Sequence, residues 1–164
     1  MSTLFAQPAV PLEACALSAP PTPQQAQAVA EMLAASEPWA TLKFPAAALA
    51  HYLTRDDPAL RRYVISVEGE VAGIICVRHP WLRGPYIELL GLSPHLRGKG
   101  IGRQVMNWAE SEARQGAKNL WVVASAFNHR ALAFYGSLGF HPIATLPDLV
   151  SPGQDEILLR KPLA

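Results

Sequence analysis

Positions 93–102 read Ser-Pro-His-Leu-Arg-Gly-Lys-Gly-Ile-Gly, so Gly98, Gly100 and Gly102 alternate with Lys99 and Ile101 between Arg97 and Arg103. Glycine lets the backbone come close to a ligand and enter turns that other residues avoid. Apolar spacing from Ile101 onward predicts a helix over 101–115, whose first N–H groups have no intrahelical acceptor. Amides converging on one spot, the positive end of the helix dipole, and the cations Arg97, Lys99 and Arg103 all favour a polyanion there, such as a diphosphate. A tight strand-to-helix turn would explain one or two glycines. It explains neither three nor cations placed where the dipole already repels positive charge.

Two nucleotide-binding patterns fail on spacing. A P-loop needs Ser or Thr after Gly-Lys to hold magnesium, and Gly98-Lys99 is followed by Gly100. A dinucleotide fingerprint needs a third glycine where Arg103 or Val105 stands, and an acid about 20 residues on, where Asn119 and Leu120 stand. The run from Arg97 to Gly102 instead resembles the Arg/Gln-x-x-Gly-x-Gly/Ala signature of the GNAT superfamily of N-acetyltransferases. Asn128, Ala131, Phe134, Tyr135, Leu138, Gly139 and Phe140 resemble that superfamily's second block at the usual separation. The resemblance covers roughly residues 60–162 well, and the first 60 in general plan.

The resemblance implies acyl transfer from acetyl-CoA, as co-substrate, to a primary amine by direct attack in a ternary complex. No metal is expected, since none of the five histidines shows the i, i+4 helical pairing of a zinc site. It implies a pyrophosphate held by Arg97, Gly98, Lys99, Gly100, Ile101, Gly102 and Arg103. It also implies a pantetheine arm lying along Leu90 and Leu92 as an added strand would. The Leu90 N–H would then donate to the thioester carbonyl as negative charge develops on its oxygen. Tyr135 would give a proton to the departing thiolate and Asn128 would touch the pantetheine. Each has a structural alternative: an aromatic on the core face of its helix for Tyr135, a plain helix cap for Asn128.

Glu88 is the one acid in the strand predicted over 86–92, and a period of two places it on the same face as Tyr86 and Leu90. An ammonium is not a nucleophile, so Glu88 is a candidate base, against the alternative of a strand-edge acid in a salt bridge; Tyr86 is the other candidate relay. In the resembled fold the acceptor enters between the loop at 37–41, carrying Glu37 and Trp39, and the loop at 146–155. Acids on those loops suit a cationic amine. Trp39 and Trp81 are candidate specificity residues, although packing is the commoner role of a lone Trp.

The elements that must position these residues follow from the pattern. Five prolines in the first 23 residues predict a loose extension over 1–12, then a short strand at 13–17. Thr22 and Pro23 open a helix with Ala28, Met32 and Leu33 on one face, and a second helix runs over 45–53. A hairpin spans 63–77 across Glu68-Gly69-Glu70, and strands follow at 86–92, 120–124 and 155–160, with a helix capped by Asn128 and ended by Gly139. This describes a single α/β (α+β) domain over 1–164. Its mixed, mostly antiparallel sheet of six to seven strands has helices on both faces, and GNAT-like splaying is expected at the 86–92 strand.

Composition narrows the partners. Fourteen Lys and Arg against thirteen Asp and Glu give a formal charge of +1 with no block of like charge, which argues against nucleic acid or an anionic membrane surface. Two isolated cysteines, a first basic residue at Lys43 and no apolar run of 18 residues lead to the expectation of a cytoplasmic protein. The expected acceptor is a small molecule or peptide bearing an amine, and a homodimer is compatible with the resemblance. Two other functions remain open: a non-catalytic acyl-CoA sensor, and an acetyltransferase acting on protein N-termini.

Overall fold

The computed structural model describes residues 3–163. Strands β1 (Ala9–Pro11) and β2 (Ala16–Ser18) lead into helices α1 (Pro23–Ala34) and α2 (Ala46–Thr54). Strands β3 (Leu60–Val67), β4 (Glu70–Arg78) and β5 (Tyr86–Leu92) follow, then α3 (Ile101–Arg114), β6 (Asn119–Ser125), α4 (His129–Ser137), β7 (His141–Pro147) and β8 (Asp155–Pro162). The eight strands form one sheet in the order β1-β2-β3-β4-β5-β6-β8-β7. Among the described residues only β5 and β6 are parallel neighbours. The described sheet thus has one strand more than the upper end of the six to seven expected, the short β1.

Local chemistry explains most boundaries. Thr22 and Gln25 form a reciprocal capping box at the start of α1, each side chain accepting from the other's backbone amide at 3.1 and 2.9 Å. Glu68 and Gly69 both have positive φ, as a two-residue hairpin turn between β3 and β4 requires. The buried face of α1 is Ala26, Val29, Ala30 and Leu33, whereas Ala28, expected inward, faces solvent. Helices α1 and α2 cover one face of the sheet over Ile74, Cys76 and Leu89. Helices α3 and α4 cover the other over Ile75, Val77, Ile87, Leu120 and Val122.

Of the stretch at 1–12 expected to be loose, residues 3–12 are instead held by packing, and residues 1 and 2 lie outside the described residues. Phe5 is fully buried edge-on to Trp108, at 5.5 Å between ring centroids, and Leu4 is buried beside it. The Tyr63 hydroxyl lies 2.8 Å from the carbonyl oxygens of both Phe5 and Gln7, and the Phe5 amide donates to Glu112. Prolines exclude a helix or central strand here, but they do not prevent buried anchors from fixing the chain. Leu4 and Phe5 are those anchors.

Candidate functional site

Strand β5 is the hinge of the site. It pairs with β6 only at Tyr86 and Ile87, so from Glu88 to Leu92 its outer edge has no strand partner. On the other edge the Ser93 amide donates to the Ala72 carbonyl at 2.8 Å, and the register runs Gly73 to Leu92, Ile74 to Gly91 and Ile75 to Leu90. Hydrogen-bonded and non-bonded pairs alternate in an antiparallel ladder, so Gly91 faces β4 while the main-chain groups of Leu90 and Leu92 point into the gap left by β6. An extended ligand in that gap meets free strand groups.

After β5 the chain makes a single 3-10 turn at Pro94–Leu96 and enters α3 through Gly98 and Gly100, with φ of 76° and 82°. A Cβ at either glycine would meet nothing within 4 Å, so the space over the loop is open. Among the described residues, no backbone amide from Gly98 to Arg103 donates a hydrogen bond within the protein; the first donor of α3 is Gln104, to the Gly100 carbonyl at 3.1 Å. Six consecutive free amides at the positive end of a 14-residue helix are an arrangement that can hold an anion.

A cavity of about 530 Å³ runs from this loop along Leu90–Leu92 to α4. Gly98, Gly100, Gly102, Arg97, Arg103, Asn128 and Tyr135 line it; the Lys99 side chain is exposed outside it and Ile101 is buried in the core. Arg130 also lines it, a residue that reading the sequence left out. Its signal was its place in the first turn of α4, opposite the glycine loop. Burial and the nearby Arg130 charge both hold Arg97 below the usual arginine range. Guanidiniums crowded in this way are relieved by a bound anion. Arg130→Ala should weaken binding of a diphosphate ligand about tenfold and flatten its salt dependence, read by calorimetry at two ionic strengths; unchanged affinity would remove Arg130 from the site.

A second cavity of about 160 Å³ opens between the loop after α1, at Pro38, Trp39 and Leu42, and the diverging strands β5 and β6, with α4 behind it. The two share Trp39, Leu90, Asn128 and Tyr135 as a common wall. Of the acceptor candidates, Tyr86 and Glu88 line the small cavity, Trp39 lines both, and Glu37 lines only the large one. Tyr135 is buried on α4 and burial raises its hydroxyl well above the usual tyrosine range, so it stays protonated and can donate. Asn128 does cap α4, its Oδ1 accepting from the Ala131 amide at 3.2 Å, and its side chain also borders both cavities.

Glu88 differs from the sequence expectation. The β4–β5 register pairs Val77 with Ile87 and Cys76 with Leu89, which leaves Glu88 as the extra residue of a β-bulge. The bulge breaks the period of two: Leu90 packs on the α3/α4 face, whereas Glu88 reaches Tyr52 of α2 on the other. Its carboxylate accepts from the Tyr52 hydroxyl at 2.6 Å and from Arg78 Nε and Nη2 at 2.7 and 3.2 Å. Arg78 in turn reaches both oxygens of Asp57, at 3.2 and 3.0 Å. Both Glu88 oxygens are thus committed to a network joining α2, β4 and β5. The acid missed from sequence is Glu156, the second residue of β8, which is buried and lines the small cavity.

A sequence profile of the acetyltransferase (GNAT) family matches residues 26–140. The streptothricin acetyltransferase of Streptomyces lavendulae is 35% identical over 88 residues, a match covering 52% of this chain and 47% of that protein, so the match spans about half the length of that relative. The blasticidin-S acetyltransferase of Streptomyces morookaense is 30% identical over 103 residues, covering 62% of this chain and 73% of that protein. Among solved structures, nourseothricin acetyltransferase superposes with a TM-score of 0.60 at 30% identity, covering 67% of this chain and 69% of that one.

Proposed function

The chain belongs to the acetyltransferase (GNAT) family, and from that premise we propose that it transfers an acetyl group from acetyl-CoA to a primary amine on a small molecule. The observation that carries this reading is the pair of cavities meeting at Leu90 and Tyr135, one of them ending at six free amides and three arginines. The pyrophosphate would sit on the Gly98 to Arg103 amides, with Arg97, Arg103 and Arg130 around it. The pantetheine would run past Leu90 and Leu92 as a partial strand. The Leu90 amide would stabilise the developing oxyanion, and Tyr135 would protonate the leaving sulfur.

A small-molecule acceptor is favoured because the cavity left for it is narrow and the relatives named above act on antibiotics by their names. The test is calorimetric binding of acetyl-CoA together with thiol release over a panel of streptothricin, blasticidin S, short polyamines, amino acids and an N-terminal alanine peptide. Transfer to a small amine is expected. Tight acetyl-CoA binding with no transfer to any of them would leave a sensor, and preference for the peptide would move the protein to N-terminal acetylation.

A further inference from the structure

Glu156 is 5% exposed, and among the described residues its Oε2 is the one buried side-chain oxygen without a hydrogen-bond partner. Its Oε1 accepts from the Ser125 hydroxyl at 3.1 Å, across the β6–β8 pairing. Native folds seldom leave a buried carboxylate oxygen unmatched unless something from outside completes it. Here Glu156 is one of the residues lining the small cavity, its unpaired Oε2 lying just beneath that wall, which continues through Tyr86 to Tyr135 and Leu90, where the larger cavity begins. Among the described residues lining that small cavity none is cationic, and Glu88, the other acid there, is already neutralised by Arg78. An ammonium entering the cavity therefore finds one carboxylate free to receive it.

We propose that Glu156, through Oε2, binds the acceptor's ammonium group and takes its proton, acting as the general base of the transfer. This rests on the acetyl-transfer reading above. The carboxylate accepts one proton from R–NH3+, giving R–NH2 and a neutral Glu156. The nitrogen lone pair forms the N–C bond to the thioester carbonyl, the C–S bond breaks with its electron pair on sulfur, and the sulfur takes the second nitrogen proton directly or through Tyr135. Glu156 then releases its proton to solvent. The products are the acetamide, free thiol and one proton.

Ser125 of β6 bonds Glu156, Tyr86 and the Arg78-paired Glu88 of β5 and Tyr135 of α4 line the same cavity, Leu146 is its strand partner on β7, and exposed Asp155 stands beside it. Burial raises Glu156 above the usual glutamate range and outweighs the Ser125 hydrogen bond, which acts the other way. A base of raised pKa loses its proton-accepting form as pH falls, so the acid limb of kcat should lie above pH ~4.3, the ordinary glutamate value. The sign for stability is opposite. Any contribution from Glu156 is full below the unfolded value and lost as pH rises through the folded one, so an amide there should not lower Tm at pH 8.

The experiment compares Glu156→Gln and Glu88→Gln with the parent, following thiol release from acetyl-CoA with streptothricin or n-butylamine as acceptor between pH 5 and 9. Glu156→Gln is expected to lower kcat at pH 7 about 100-fold and to erase the acid limb, with acetyl-CoA affinity and Tm at pH 8 kept; in Glu88→Gln the limb persists. Retention of the limb in Glu156→Gln, or its loss in Glu88→Gln alone, overturns the proposal. If acetyl-CoA binds but the parent transfers to no amine, the functional reading fails instead. Glu156 is then decided by carboxyl-13C titration of the acetyl-CoA complex with n-butylamine: a perturbed titration that responds to the amine supports the site, and an ordinary, unresponsive one removes it.

Discussion

Gly100→Val should raise the Kd for acetyl-CoA by about 100-fold or more while the protein still folds. Gly100 stands at φ 82°, a conformation a β-branched residue is strained to adopt, by about 1–3 kcal/mol. Among the described residues beyond its chain neighbours, a Cβ there meets no atom within 4 Å, so the packing around the loop does not oppose the side chain. The conflict is with whatever occupies the cradle. The branched methyls would fill the space over the free amides, and relaxing φ would turn those amides away. Calorimetry with acetyl-CoA and with free CoA reads this, with Tm as the folding control. An affinity within threefold of the parent would mean that the glycine loop does not hold the diphosphate.

Glu88→Ala is expected to cost stability before it costs chemistry. It removes the acceptor for Arg78 Nε and for the Tyr52 hydroxyl, and leaves Arg78 bonded only to Asp57. Both charged side chains of the pair are about one-fifth exposed, so the loss is smaller than for a fully buried pair, about 2 kcal/mol, or a Tm fall of about 4–8 °C in a chain of this size. Thermal unfolding measures it, and kcat measured well below the lowered Tm separates the two roles. A kcat collapse with unchanged Tm would return Glu88 to the chemistry.

The glycine loop was legible because its chemistry is local. Three alternating glycines before an amphipathic helix determine where amides point, whatever packs elsewhere. Asn128 as a cap and the hairpin turn at Glu68-Gly69 are local in the same way, each depending on residues within four positions. The burial of Leu4 and Phe5 was not legible, since the partners of Phe5, Tyr63, Trp108 and Glu112, lie 58 to 107 positions away along the chain.

Glu88 and Glu156 mark the boundary most clearly. A strand's period of two holds only while its ladder is regular, and the extra residue in β5 is visible only from the register with β4. That one-residue irregularity sends Glu88 to Tyr52 and Arg78 and away from the face that carries Leu90. Glu156 lies 68 positions after Glu88, in a segment with no motif around it. It reaches the site because β8 pairs with β6, and β6 leaves β5 after two residues. Sequence alone therefore determined the run of free amides at the start of α3 and the elements around it, since these depend on neighbours along the chain. Which acid stays free beside it was decided by strand pairing and burial, which depend on neighbours in space.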